Sequence, residues 1–179
     1  MILSGLEIHN QVEAGRIIIE PFCPQQLNPN SYNYRLGAQL KPAPLDVTLD
    51  ARQKHQLLSQ EIPAEGFVLE PGRFYLGRTV EVIGSDFFVP CLIGRSSLGR
   101  LGLYVQISAD LGNLGFVDSW TLELVAVQPI RVYPGMLLGQ VTFWVPAGRR
   151  RLYDGKYVRQ CEPLESQFGM EFSQNGESQ

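Results

Sequence analysis

A glycine-rich segment near the middle of the chain combines the residue types that bind phosphate. Residues 94–102 read Gly-Arg-Ser-Ser-Leu-Gly-Arg-Leu-Gly and lie between two hydrophobic stretches. Arginine side chains form paired hydrogen bonds with phosphate oxygens, hydroxyl groups add donors, and glycines let the backbone approach an anion closely. The segment is therefore a candidate phosphate-binding loop, and a polar turn with solvated arginines is the alternative.

A single carboxylate interrupts an apolar stretch farther along the chain. Glu123 stands between Leu122 and Leu124. On an alternating strand it shares a face with Thr121 and Val125, so its side chain points either to water or into a cleft. Water is the commoner surrounding for a glutamate in a strand, whereas in a cleft the carboxylate can take up a proton and return it. Both positions stay open from the residues alone.

The histidines and cysteines do not form a metal-binding pattern. They are few and far apart: His9, His55, Cys23, Cys91 and Cys161. Zinc-dependent nucleobase deaminases need His-x-Glu and Pro-Cys-x-x-Cys to hold the metal and move protons. Here Pro90 and Cys91 are followed by Leu-Ile-Gly, and neither histidine precedes x-Glu, which excludes that chemistry. The P-loop, the dinucleotide-binding glycine motif and H-E-x-x-H are absent as well.

Length and composition indicate one domain over residues 1–179. The chain is 44% hydrophobic and 18% charged, which allows a full core and argues against intrinsic disorder. Its net charge of −3 provides no broad basic surface for nucleic acid. No apolar run is long enough to cross a membrane, and the first residues lack the features of a signal peptide. We therefore expect a cytoplasmic protein that binds neither nucleic acid nor a membrane.

Local patterns predict a short helix followed by many strands. Ser4 and Glu7 form a capping box, and Gly15 is a natural helix end. Strands are predicted at residues 16–20, 31–36, 66–69, 74–77, 79–82, 87–89, 101–105, 120–127, 130–133 and 139–145. Their regular spacing, with Pro-Gly turns between them, indicates an all-β sandwich or barrel. Residues 53–58 are a possible helix, and residues from about 150 to 179 read as an extended arm.

Four motifs in the second half of the chain occur together in one known family. They are the 94–102 segment, Ser108-Ala109, Gly115-Phe116 and Thr-Leu-Glu-Leu at 121–124. Further similar segments occur in the same order at residues 1–4, 30–37, 70–72, 134–136, 139–140 and 155–160. Taken together, the chain resembles the dCTP deaminases, which are relatives of the trimeric dUTPases, over nearly its whole length.

The resemblance implies a fold, an assembly and a reaction. The fold is a mainly β, distorted jelly-roll-like barrel of the dUTPase type, with a short N-terminal helix and a C-terminal arm that closes over the nucleotide. The assembly is a homotrimer with active sites at subunit interfaces. The reaction is metal-independent hydrolytic deamination of the cytosine ring, from dCTP to dUTP and ammonia, in the synthesis of dTTP precursors. No protein-bound zinc is expected, and Mg²⁺ is carried by the nucleotide phosphates.

The resemblance also assigns roles to individual residues. Glu123 is the expected proton shuttle, Arg100 keeps it ionised and oriented, and Ser96 helps to position the attacking water. The implied substrate-binding residues are Arg95, Ser96, Ser97, Leu98, Gly99, Arg100, Asn113, Thr121, Leu122, Glu123, Gln140, Tyr153, Lys156 and Gln160.

Some positions depart from the family pattern and leave two other functions open. Asn113 stands where the family has the aspartate of I-D-P-G-F, and an amide cannot act as a base. This argues against a pyrimidine nucleotide pyrophosphatase or phosphohydrolase, dUTPase-like or bifunctional, unless Asp110 or Asp118 substitutes. Near the C-terminus, Glu162 and Gln167 alter the charge beside the triphosphate, so the number of phosphates is open. A non-catalytic nucleotide-binding regulator is the other alternative, and Glu123 argues against it.

Overall fold

The N-terminal helix forms where its capping residues predict it. The computed structural model describes residues 1–106, 108–155, 157 and 162–171. Helix α1 (Gly5–Glu13) begins after Ser4, whose Oγ accepts a hydrogen bond from the Glu7 backbone N–H at 3.3 Å. The chain turns away at Gly15, where φ is +66° and glycine meets no steric penalty. The predicted helix is therefore confirmed.

Most of the described chain after α1 consists of short strands and turns. The strands are β1 (Ile18–Glu20), β2 (Leu27–Asn28), β3 (Ser31–Arg35), β4 (Gln39–Pro42), β5 (Gln60–Glu61), β6 (Phe67–Leu69), β7 (Phe74–Gly84), β8 (Val89–Gly94), β9 (Leu103–Val105), β10 (Val117–Ala126), β11 (Ile130–Val132) and β12 (Leu137–Trp144). A four-residue helix, α2 (Ser96–Gly99), separates β8 from β9. The mainly β prediction is confirmed, whereas residues 53–58 form no helix and the two strands predicted between 74 and 82 are one continuous strand.

Two antiparallel sheets enclose the core. One has the order β5-β4-β7-β10-β9, with β1 also paired to β7, and the other has the order β2-β3-β12-β8, while β6 and β11 form a separate pair. Their buried faces supply one continuous cluster of apolar side chains, including Tyr34, Leu122, Leu124, Val141 and Phe143. Within the described residues, no helix is long and apolar enough to span a membrane.

The pairing of β7 with β10 is interrupted just before the strand segment that carries Glu123. Ser119 pairs with Val82, but Thr121 pairs with Arg78, so three residues of β7 stand opposite Trp120 alone. Thr79 fills the gap, because its Oγ1 accepts a hydrogen bond from the Trp120 N–H at 2.8 Å and donates one to the Glu81 carbonyl at 2.7 Å. Such irregularities redirect side chains next to functional sites. Beyond it, β10 continues in regular pairing.

The described C-terminal residues 162–166 lie against the larger sheet through a buried ion pair. Lys41 on β4 is only 6% exposed, and its Nζ lies 2.9 Å from Glu165 Oε1 and 3.2 Å from Glu162 Oε2. Burial opposes the charge of Lys41, but its hydrogen bonds to the two carboxylates outweigh this effect and raise its pKa. Leu57 N–H donates a further hydrogen bond to Glu165 Oε1 at 3.1 Å. Residues 162–166 are thus held by charge on the sheet that carries β10.

This contact predicts release of residues 162–166 in acid. Burial raises the pKa of Glu165, but hydrogen bonds from Lys41 and backbone N–H groups outweigh burial and bring it below its ordinary value of 4.5. A carboxylate with a lowered pKa stabilises the attached state above the ordinary value and loses this effect as the pH falls. We expect the NMR amide signals of Leu164 and Glu165 to report detachment only below pH 4.5, while those of Leu122 and Leu124 keep their positions.

The variant Glu165→Gln is the control for this titration. It keeps the size of the side chain but has no proton to gain in this range, so the acid step should disappear and attachment should already be weaker at neutral pH. An identical acid step in the variant and the natural chain would contradict the role of the ion pair.

Candidate active site

The Glu123 side chain lines a cavity on the face of β10 that points away from the core. Leu122 and Leu124 are fully buried, and the side chains of Thr121 and Glu123 alternate with them on the other face. The cavity has a volume of about 440 Å³, within the usual range for a small-molecule site. Its other lining residues are Ala43, Leu49, His55, Leu57, Phe74, Leu76, Gln106, Ala109, Tyr157, Leu164, Glu165 and Ser166. A carboxylate therefore faces a cleft with largely apolar walls.

The segment after β9 holds Glu123 at both its backbone and its carboxylate. Ser108 Oγ donates a hydrogen bond to Glu123 Oε2 at 3.2 Å. The Glu123 N–H donates to the side-chain Oε1 of Gln106 at 2.7 Å, and the Glu123 carbonyl accepts from the Gln106 N–H at 3.1 Å. A carboxylate that accepts a hydroxyl hydrogen bond is kept in one orientation and retains lone pairs for a further proton. The geometry suits a general base.

Thr121 and Leu122 meet the site in different ways. Thr121 Oγ1 lines the cavity and accepts a hydrogen bond from the Leu164 N–H at 2.9 Å, so the docked C-terminal residues form one wall. The Leu122 side chain lies in the core opposite Gly77. Only the backbone of Leu122 can therefore face a ligand, and the substrate-binding role implied by the family resemblance stays a prediction.

The candidate phosphate-binding loop lies apart from the Glu123 cavity within one chain. None of the residues from Arg95 to Arg100 belongs to the described lining of that cavity. Leu98 packs against the core and anchors α2, which leaves Ser96, Ser97 and Arg100 exposed, with Gly99 half-buried. Arg95 is half-buried, and its Nη1 lies 3.4 Å from the Leu137 carbonyl oxygen. The loop thus exposes hydroxyl and guanidinium groups at the surface, outside the described lining of the Glu123 cavity.

Asn113 and Tyr153 share a second cavity of about 410 Å³. The Tyr153 N–H donates to the Leu114 carbonyl at 2.7 Å, and the Tyr153 ring packs edge-on against Phe116 at 5.9 Å. Tyr153 also accepts a hydrogen bond at its hydroxyl from the Tyr157 N–H, at 3.2 Å. Tyr157 lines the Glu123 cavity, so this hydrogen bond links a lining residue of one cavity to a lining residue of the other.

The two aspartates proposed as substitutes for the missing family aspartate each contact a neighbouring side chain, and Asp118 also lines a smaller cavity with Thr121 and Tyr157. Asp118 lies 3.9 Å from the Arg78 guanidinium and accepts a hydrogen bond from the Ser119 N–H at 2.8 Å. Asp110 Oδ2 lies 3.5 Å from the Cys91 sulfur. Burial and the nearby Asp110 carboxylate raise the pKa of the Cys91 thiol, which keeps it protonated. Neither aspartate lines the Glu123 cavity or the Asn113 cavity among the described residues.

The remaining sequence-predicted residues lie outside these cavities or outside the described part of the chain. Gln140 lies on β12, and its Oε1 accepts a hydrogen bond from Ser31 Oγ at 2.8 Å within the second sheet. Lys156 and Gln160 fall outside the described residues. Their roles, like those of the loop residues, stay predictions.

Several residues around Glu123 were not predicted as site residues. Ser108 and Ala109 belong to one of the motifs shared with the family, and that motif is the sequence signal that could identify them as site residues. The contribution of Lys41 and Glu165 depends on a contact across 124 positions, which no local pattern reveals. Gln106 follows β9 in an apolar run, and nothing in its neighbours indicates that its side chain turns back toward β10.

The sequence is similar to a known family along most of its length. A family profile described as dCTP deaminase-like matches residues 2–145. The chain is 48% identical to a protein of Hathewaya histolytica named "dCTP deaminase, dUMP-forming", covering 88% of this chain and 91% of that protein. It is 45% identical to the dCTP deaminase of Rhodopirellula baltica, over 83% of this chain and 74% of that one.

A solved structure supports the fold. The 2′-deoxycytidine 5′-triphosphate deaminase of Agrobacterium tumefaciens matches with a TM-score of 0.64 at 21% identity, covering 81% of this chain and 48% of that protein. The architecture implied by the sequence motifs is thereby confirmed. From the profile over residues 2–145 and the relatives that align along most of its length, the chain belongs to the dCTP deaminase-like family.

Proposed function

We propose that this protein deaminates dCTP by hydrolysis, forming dUTP and ammonia. The observation that supports this most directly is the Glu123 carboxylate, held by Ser108 at the wall of a largely apolar cavity. Relatives that align with most of this chain are named as dCTP deaminases. The dUTP so formed would supply precursors of dTTP, a role that suits a cytoplasmic enzyme.

One carboxylate suffices for the proton transfers of this reaction. Glu123 takes a proton from a water molecule whose oxygen adds to C4 of the cytosine ring, and it delivers that proton to N3. It then takes the proton of the new hydroxyl group and gives it to the amino group, which leaves as ammonia. C4 ends as a carbonyl carbon and N3 keeps its proton. The apolar walls from Phe74 and Leu76 limit competing water and hold the ring near the carboxylate.

The phosphates require a second copy of the chain. We propose that Arg95, Ser96 and Ser97 bind the triphosphate from a neighbouring subunit of a homotrimer, and that Arg100 and Ser96 reach the reacting base and water there. The outward orientation of this loop and its separation from the Glu123 cavity support such a site. Mg²⁺ would accompany the nucleotide phosphates. The widely spaced histidines and cysteines support a reaction without protein-bound zinc.

A second candidate is deamination followed by loss of pyrophosphate. The name of the Hathewaya protein, and that of a relative from Cytophaga hutchinsonii at 46% identity, specify dUMP formation. Releasing pyrophosphate needs a base for a second water molecule. Asn113 cannot supply one, and neither Asp118 nor Asp110 lines the Asn113 cavity among the described residues. We therefore favour dUTP as the product.

Product analysis distinguishes these functions. With dCTP and Mg²⁺, we expect ammonia and dUTP to appear in equal amounts by chromatography, and we expect added dUTP to persist. Formation of dUMP and pyrophosphate would instead establish the bifunctional reaction. Nucleotide binding without ammonia release would indicate a regulator and contradict the proposed function.

Removing the proton-accepting ability of Glu123 should abolish deamination. The variant Glu123→Gln preserves size and hydrogen bonding but cannot shuttle protons. We expect kcat to fall by about 10²–10⁴-fold or more, with little change in nucleotide affinity. The matched control is Glu61→Gln on the exposed strand β5, which should retain full activity. Turnover above about a tenth of that of the natural chain, a loss under roughly 1.4 kcal/mol, would show that Glu123 is not the shuttle.

A mixing experiment tests the shared site. Glu123→Gln and Arg100→Ala are each expected to be inactive, since each lacks one half of every site. When equal amounts of the two variants are unfolded and refolded together, the subunits mix at random. A site then works when one subunit supplies the natural Glu123 and its neighbour supplies the natural Arg100, so we expect recovery of roughly a quarter of the activity. If every site were contained in one chain, the mixture would be as inactive as its components.

A further inference from the structure

Gln106 has an unusual backbone conformation at the point where β9 ends. Its φ is +53°, a value that non-glycine residues seldom adopt. The residue is 9% exposed, so its amide group is among the buried polar groups that need hydrogen-bonding partners. Conformations of this kind persist where surrounding contacts fix them, and they cluster at functional sites.

The side chain of Gln106 replaces a missing backbone partner of Glu123. In a regular antiparallel pair, two opposite residues exchange both of their N–H to carbonyl hydrogen bonds. Gln106 donates its N–H to the Glu123 carbonyl at 3.1 Å in this way. The return bond from the Glu123 N–H goes instead to Gln106 Oε1, at 2.7 Å. Both backbone groups of Glu123 are therefore held by one residue.

The other end of the same amide fixes the loop that contacts the carboxylate. Gln106 Nε2 donates to the Ala109 carbonyl at 3.2 Å, and between them Ser108 donates to Glu123 Oε2 at 3.2 Å. The amide group thus spans the base of the loop, with its oxygen toward Glu123 and its nitrogen toward Ala109. The amide supplies both the acceptor and the donor that this arrangement uses.

We infer that Gln106 is a positioning residue for deamination, which sets the Glu123 backbone and the Ser108 loop so that the carboxylate faces the substrate ring. The inference rests on the proposed function. Its effect should fall on the rate of the chemical step, because misplacement of a catalytic group by a fraction of an ångström costs rate while the remaining ligand contacts persist.

The test uses two variants at position 106 and one elsewhere. Gln106→Leu removes both side-chain hydrogen bonds, whereas Gln106→Glu keeps the acceptor for the Glu123 N–H and loses the donor to Ala109. The control is Gln26→Leu: Gln26 is 7% exposed and donates to the Asn33 carbonyl on β3 at 2.6 Å and to Glu81 Oε1 on β7 at 3.3 Å. It removes a similarly buried glutamine amide whose hydrogen bonds do not include Glu123 or the segment after β9.

We expect kcat for dCTP to fall about tenfold to a hundredfold in Gln106→Leu, with KM within about threefold of the natural value. The fall in kcat should be smaller for Gln106→Glu. Gln26→Leu should keep kcat within about twofold of the natural value, even if its melting temperature falls as much as that of Gln106→Leu. A kcat near the natural value in Gln106→Leu, or an equal loss of kcat in Gln26→Leu, would overturn the inference. If Gln106→Leu does not fold, natural turnover in Gln106→Glu would overturn it equally.

Hydrogen exchange separates this inference from the proposed function. The Glu123 amide should exchange faster in Gln106→Leu than in the natural chain, and Gln26→Leu should leave it unchanged. Absence of ammonia release by the natural protein would reject the proposed function, and the exchange of this amide would still decide whether Gln106 holds Glu123. Unchanged exchange in Gln106→Leu would reject the inference even if deamination were observed.

Discussion

The two-residue period of β10 is the constraint on which the site depends. Leu122 and Leu124 must face the core, because they complete the apolar cluster between the sheets, and this fixes Thr121 and Glu123 on the opposite face. A shift of one residue in pairing would exchange the two sets. The three residues of β7 opposite Trp120 absorb the mismatch before Thr121, so the register of the segment that carries Glu123 is set by core packing. The face of β10 on which the carboxylate lies is thus set by apolar side chains in the core.

Much of this arrangement could be predicted from the sequence, since local patterns determine it. The capping residues of α1, the apolar run of β10 and the Pro-Gly turns each act over a few residues, and the elements they predicted are present. The face of Glu123 was also limited to two choices by alternation, of which the structure shows the cleft. The continuity of β7 through residue 80 could not be predicted, because the irregularity opposite Trp120 depends on the partner strand and leaves no local signature.

The contacts that complete the cavity were beyond prediction for the same physical reason. The hydrogen bonds of Gln106 arise from a left-handed backbone conformation that glutamine does not favour by itself. The buried position of Lys41 is tolerated only because two carboxylates come from the far end of the chain. Side chains whose partners are distant in sequence acquire their roles from the tertiary structure, and a family motif is the only sequence signal that registers them.

The ion pair between Lys41 and Glu165 also has a consequence for the order of folding. Its partners are 124 positions apart, and the Leu164 backbone binds Thr121 on β10, so residues 162–166 recognise a surface made jointly by β4 and β10. That surface exists only after both strands have paired with β7. Residues 162–166 must therefore dock late, after the slow closure of the long-range strand pairs. A polypeptide still emerging from the ribosome can build the sheet and its core first, and it acquires this wall of the cavity only after residues 162–166 have emerged.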